Sequence, residues 1–156
     1  MIEISIPGQR PLQLRYLVLD YNGTMACDGH PIDGLKEILQ TLAGRLEIHV
    51  LTADTFGDVK RKLEGFPVTL SILPKGNQDE GKLKYVQKLG IDQSVCVGNG
   101  RNDCLMLKAA ALGIALIQEE GACAQTLSAA DIVCQDIISA LGLLIHTKRL
   151  EATLRN

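Results

Sequence analysis

Asp20-Tyr21-Asn22-Gly23-Thr24 closes the apolar run Tyr16-Leu17-Val18-Leu19, and a carboxylate in that place can act as a nucleophile toward phosphorus. A buried strand ending in Asp, then a glycine that permits a sharp turn and a hydroxyl residue, points into the crevice where open α/β sheets bind ligands. Three further stations carry compatible chemistry. Thr52 follows the run Glu47-Ile48-His49-Val50-Leu51, and its hydroxyl, with the backbone amides of Ala53 and Asp54, suits a phosphoryl oxygen; taken alone, a Thr there serves equally as a helix N-cap. Lys82 opens an amphipathic stretch and can lend positive charge to a transferring phosphoryl group, with Lys75 and Lys84 as competitors. Gly98-Asn99-Gly100-Arg101-Asn102-Asp103 combines two glycines with amide and carboxylate oxygens, a donor set for a hard cation such as Mg²⁺.

The elements that must position these residues follow from periodicity. Ile2, Ile4 and Ile6 alternate with polar residues, Pro7-Gly8 turns the chain, and Leu12, Leu14 and Tyr16 alternate again, which predicts an N-terminal hairpin leading into the first buried strand. Leu35, Ile38, Leu39 and Leu42 recur at helical spacing, opened by Asp33 or Gly34 and closed by Gly44. Strands are then expected over 46–51, 68–73, 94–97, 113–117 and 131–134, and helices over 56–63, 79–89, 103–112, 122–129 and 137–145. Residues 147–156 read as a terminal helix or tail. Repeated βα units with short connectors predict a three-layer, Rossmann-like α/β fold, a mainly parallel sheet with helices on both faces, in one domain over residues 1–156.

Composition narrows the function classes. A net charge of −2 without a Lys/Arg cluster argues against nucleic acid as the main partner, and leaves a small phosphorylated substrate allowed. No apolar segment is long enough to span a membrane, and the alternating N-terminus does not read as a signal peptide. The five cysteines form no CxxC pair, so neither a disulfide framework nor a zinc site is expected, and a reducing cytoplasm is the simplest setting.

With these four stations in this order, residues 16 to about 144 resemble the haloacid dehalogenase-like hydrolase superfamily, and within it the small soluble proteins similar to P-type ATPases. The resemblance implies that Asp20 becomes an aspartyl phosphate, that Thr52 and Lys82 bind the phosphoryl group, and that Asp20, Asn22, Asn99 and Asp103 hold Mg²⁺. Lys82 is preferred over its competitors because the run Lys82-Leu83-Lys84-Tyr85-Val86, followed by Leu89-Gly90, matches the family spacing to the Gly98 motif.

Two departures stand out. The family's phosphatases carry Asp as general acid/base where this chain has Asn22, and an Asp metal ligand where it has Asn99. General acid/base help contributes ~10²–10⁴-fold, so simple monoesters are expected to turn over slowly and acyl phosphates better. The site holds two negative charges fewer than the family pattern, which predicts weaker repulsion of phosphate and a weaker grip on Mg²⁺. The alternative is an impaired module that binds a phosphorylated ligand or protein without turnover. A signalling receiver domain fits less well, because its acceptor follows the third strand and the Asn99 to Asp103 motif would have no role. The gaps between motifs leave no room for a cap domain, so cover is expected from the N-terminal hairpin, from residues 25–30, or from a neighbouring subunit of a homo-oligomer. His30, Arg101 and Asp54 are weaker candidates for substrate contact, and His49 and His146 are expected to be structural.

Overall fold

The computed structural model of the chain describes residues 1–54 and 57–155. An antiparallel pair, β1 (Ile2–Ile4) and β2 (Leu12–Leu14), precedes the first strand of the main sheet, β3 (Tyr16–Asp20). A small hairpin follows, β4 (Ala26–Cys27) with β5 (His30–Pro31), which the sequence reading did not anticipate. The rest alternates: α1 (Leu35–Ala43), β6 (Glu47–Thr52), α2 (Val59–Lys62), β7 (Thr69–Ile72), α3 (Gln78–Leu89), β8 (Ser94–Gly98), then a 3₁₀ turn (Arg101–Asp103) running into α4 (Cys104–Ala109). β9 (Leu112–Leu116), α5 (Ala124–Ala129), β10 (Ile132–Cys134), α6 (Ile137–Ile145) and α7 (Thr147–Leu154) complete it.

The main sheet has six strands in the order β10-β9-β8-β3-β6-β7, and each neighbouring pair is parallel. The chain builds outward from β3 through β6 to β7, then crosses back to β8 and builds outward the other way. β3 therefore lies at the point where strand order reverses, with β6 and β8 on its two sides, and its C-terminal end borders the crevice such sheets leave for ligands. Period-two alternation sorts the side chains. Leu17, Leu19, Val95, Val97, Ile114 and Leu116 join the larger core with α1 and α6, while Val18, Leu51, Cys96 and Ala115 face α3 and α4. Helices thus cover both faces, as βα crossovers require.

Differences from the expected elements lie at their ends. The helix expected over 56–63 is one short turn, α2, because Lys60, Arg61 and Lys62 offer no apolar stripe between Val59 and Leu63; Phe56, its expected first residue, lies outside the described residues. The helix expected over 103–112 stops at Ala109, since the chain must extend to enter β9 at Leu112.

The N-terminal hairpin is present, with Ile2, Ile4, Ile6 and Leu14 buried. It cannot cover the site. The backbone bonds Arg15 N to Gln93 O and Glu47 N to Arg15 O tie it to the N-terminal ends of β6 and β8, the opposite end of the sheet from Asp20. No helix among the described residues is long and apolar enough to cross a membrane.

Candidate active site

Asp20 is the last residue of β3, Thr52 the last of β6, and Gly98 the last of β8, and because these neighbours are parallel their ends share one edge. Asp20, Asn22, Thr52, Ala53 and Asn99 line one cavity of about 260 Å³ there, with Gln78, Gly100 and Asn102 completing the rim. Asn102 Nδ2 donates to Gln78 Oε1 at 2.9 Å, which joins α3 to the β8 loop.

Beneath the cavity lies a buried ion triad. The Lys82 ammonium donates to Asp20 Oδ1 at 2.5 Å and to Asp103 Oδ1 at 2.6 Å, and all three residues are buried. Helix α3 supplies Lys82 from a turn that also buries Val86, one turn further along the same stripe. Lys84 instead points to solvent and pairs with Glu80, and Lys75 is exposed, which removes both competitors. Asp103 Oδ2 accepts the backbone amides of Asn99 (3.0 Å) and Gly100 (2.9 Å), folding the β8 loop around its carboxylate. A Cβ on Gly98 would fall 2.4 Å from Asp103 Cγ, so only glycine lets that carboxylate reach its place.

Burial sets the electrostatics. Desolvation, reinforced by the charge of Asp103 and opposed by Lys82, pushes the Asp20 carboxyl up to about 7. Burial alone would pull Lys82 down, but the charges of Asp20 and Asp103 outweigh it and hold the ammonium protonated. Two carboxylates against one ammonium leave the triad one negative charge in excess, and a cation beside Asp20 would relieve that excess.

The donors that face Asp20 suit such a cation. Thr24 Oγ1 lies 3.3 Å from Asp20 Oδ2 and 3.4 Å from Asn99 Oδ1. Asn99 Nδ2 donates to the Gly121 carbonyl at 2.9 Å, which fixes the amide with its oxygen toward Thr24 and Asp20. Gly23 has φ 76°, and a Cβ there would fall 2.2 Å from Asn99 Nδ2, so this turn and the Asn99 side chain need each other's shape. Asp20, Asn22 and Asn99 thus line one cavity with a carboxylate and two amides, a set of oxygen-bearing groups whose chemistry fits a divalent cation. Asp103 is bonded differently: its Oδ2 accepts two amides and its Oδ1 accepts Lys82, so it holds the lysine and the loop in place.

Thr52 Oγ1 accepts the Asp54 amide at 3.1 Å, leaving its own proton free for the cavity. The Asp54 carboxylate turns away and accepts the amides of Asp58 and Val59, the capping role open to it from sequence. Arg101 is exposed, while His30 sits on the β4–β5 hairpin and lines a neighbouring cavity. Sequence reasoning missed Gln78, Gln118 and Gly121. Single amides and a loop glycine carry no motif, and only their hydrogen bonds reveal them.

A parallel sheet of this order, with Asp, Thr, Lys and an Asn/Asp loop brought to its C-terminal edge, is the fold of the haloacid dehalogenase-like hydrolases. The 3-deoxy-D-manno-octulosonate 8-phosphate phosphatase of Moraxella catarrhalis, solved with magnesium, phosphate and its sugar acid, shares it at TM-score 0.66 and 16% identity, over 90% of this chain and 92% of that one. The catalytic domain of the CPx-ATPase CopB-B shares it at TM-score 0.57 and 24% identity, over 73% of this chain and 45% of that one. No family model matches the sequence. The chain belongs to the same family as the uncharacterized protein MJ0073 of Methanocaldococcus jannaschii, to which it is 42% identical over 85 residues, 52% of this chain and 91% of that protein.

Proposed function

We propose that this protein is a Mg²⁺-dependent phosphohydrolase or phosphotransferase working through an aspartyl phosphate at Asp20. The observation that supports this most strongly is the buried Asp20–Lys82–Asp103 triad opening onto a cavity walled by Thr52 and Asn99. In this reading Asp20 attacks phosphorus, the bond from phosphorus to the leaving oxygen breaks, and that oxygen departs with the bonding pair. Lys82 aims Asp20 and opposes the burial that raises its pKa, and Lys82 with the Thr52 hydroxyl receives negative charge developing on the phosphoryl oxygens. Asp20, the Asn22 main-chain carbonyl and Asn99 would hold Mg²⁺, with Asp103 supporting from behind; the ion would neutralise charge on the phosphoryl group. Water then attacks the aspartyl phosphate and returns Asp20, or another acceptor takes the phosphoryl group.

Asn22 cannot give a proton to the leaving oxygen or take one from water. Substrates whose leaving group needs no proton, acyl phosphates above all, should therefore be favoured, and the phosphoenzyme should be long-lived. We assign the protein to the cytoplasm, where five free cysteines suit a reducing medium, and allow a neighbouring subunit of a homo-oligomer as cover for the open site.

The test is phosphate release from acetyl phosphate and p-nitrophenyl phosphate with Mg²⁺, using Asp20→Asn as blank. Release that needs both Mg²⁺ and Asp20, with acetyl phosphate the better substrate, is expected. A folded wild type that releases no more phosphate than the variant would overturn the proposal.

A further inference from the structure

The segment after β9 belongs to none of the four motifs, yet it is bonded to two of them. Gln118 Nε2 donates to the Gly23 carbonyl at 3.0 Å and the Thr24 carbonyl at 2.9 Å, while its Oε1 accepts the Ile137 amide at 2.8 Å at the start of α6. Both amide hydrogens and the amide oxygen are thus used, each on backbone. Further along, Gly121 O takes Asn99 Nδ2, Cys123 N donates to Asn99 O at 2.9 Å, and Thr126 Oγ1 donates to Gly100 O at 2.7 Å. One stretch of chain therefore ties the turn that follows Asp20 to the loop that carries Asn99 and to the first residue of α6.

The turn at Gly23 has internal bonds of its own, Gly23 N to Ala26 O and Thr24 N to Tyr21 O, but these use its amides. Its two carbonyls sit in buried residues and depend on Gln118 for donors. Leaving a buried carbonyl without a donor costs about 1–3 kcal/mol, enough for a short glycine turn to settle elsewhere. The nucleophile and Asn22 would move with it.

We propose that Gln118 is a positioning residue for the chemistry assigned above to Asp20, and the proposal rests on that assignment. It anchors the Asp20–Thr24 turn to the segment whose Gly121, Cys123 and Thr126 hold the Asn99 loop, so that nucleophile and metal donors stay in register. Its polar atoms are all spent on backbone, and it acts through the turn rather than on substrate.

Gln118→Glu keeps the shape and the acceptor for Ile137 but replaces both donated hydrogens with a charged acceptor facing two carbonyls. In this variant kcat for acetyl phosphate should fall by up to about 10²-fold with KM little changed, the pattern of a misplaced nucleophile. Gln118→Met, which keeps volume and loses all three bonds, should fall similarly and guards against an effect of the added charge alone. Activity is counted per folded molecule from the melting curve. Unchanged kcat per folded molecule in both variants overturns the proposal. Should wild type prove inactive on every phosphate tested, the functional reading fails separately. The amide resonances of Gly23, Thr24 and Asn99 then decide: displacement in Gln118→Glu supports the positioning role, and unmoved resonances refute it.

Discussion

Asn99 departs from the family's acidic pattern, yet its surroundings are matched to the amide. Gly121 O lies 2.9 Å from Nδ2, so a carboxylate oxygen at that place would face a carbonyl oxygen with no hydrogen between them. The loss of charge is thus built into the neighbouring loop. Asn22 has no such commitment; it is partly exposed and lines the cavity. Asn22→Asp should therefore be accommodated and should raise hydrolysis of p-nitrophenyl phosphate, by ~10-fold or more given the usual 10²–10⁴ of general acid/base help, while shortening phosphoenzyme lifetime. Unchanged turnover in a variant that still requires Asp20 would mean that proton transfer at position 22 is not what limits the reaction. Both asparagines were legible in the sequence because each occupies a motif position. Their difference was not, since it depends on Gly121, a residue 22 positions further along the chain from Asn99.

Among the elements, the strands were the most legible, because β3, β6 and β8 are β-branched or Leu-rich runs ended by Asp, Thr or Gly. The β4–β5 hairpin was not, since two-residue strands have no periodicity to read; it depends instead on Gly29 at φ 76° and on the Tyr21 hydroxyl donating to the Gly29 carbonyl at 3.1 Å. The placement of the N-terminal hairpin was likewise beyond local pattern, being fixed by pairing to Gln93 and Glu47. One element carries a pH response apart from the site. His49 in β6 is buried, its Nδ1 3.0 Å from the Tyr85 hydroxyl, which also receives Ser71 Oγ, while its Nε2 has no partner among the described residues. Burial lowers its pKa below 6.5, with Glu47 opposing weakly. The unfolded chain thus binds the proton more readily, so this stability is present above about pH 6.5 and lost as pH falls through the folded-state value. Melting temperature should drop between pH 7.5 and 5 more in wild type than in His49→Leu, and equal drops in the two proteins would show that His49 is not the group responsible.

At the scale of the whole molecule, the site opens outward past Asn22 along walls of a single sign. Asn22 also lines a space of about 630 Å³ with Asp28 and Glu120, and Glu120 borders another of about 570 Å³ lined by Asp33, Glu119 and Asp136. No Lys or Arg is among the described residues lining either; Lys62, close to Gly29, is paired with Asp58 at 2.9 Å. A leaving group carrying its own carboxylate should be disfavoured, with kcat/KM lower by about tenfold, roughly 1.4 kcal/mol, than for a neutral phosphate of matched leaving-group acidity. Equal or better turnover of the carboxylate-bearing substrate would place the leaving group elsewhere.

The central claim is that Asp20 becomes covalently phosphorylated. Incubation with acetyl phosphate and Mg²⁺, acid quench, proteolysis and mass analysis should find one phosphoryl group on the peptide containing Asp20, removed by hydroxylamine and absent when Mg²⁺ is chelated or Asp20 is Asn. Phosphate on another residue, or none on a protein that nonetheless hydrolyses acetyl phosphate, would contradict it.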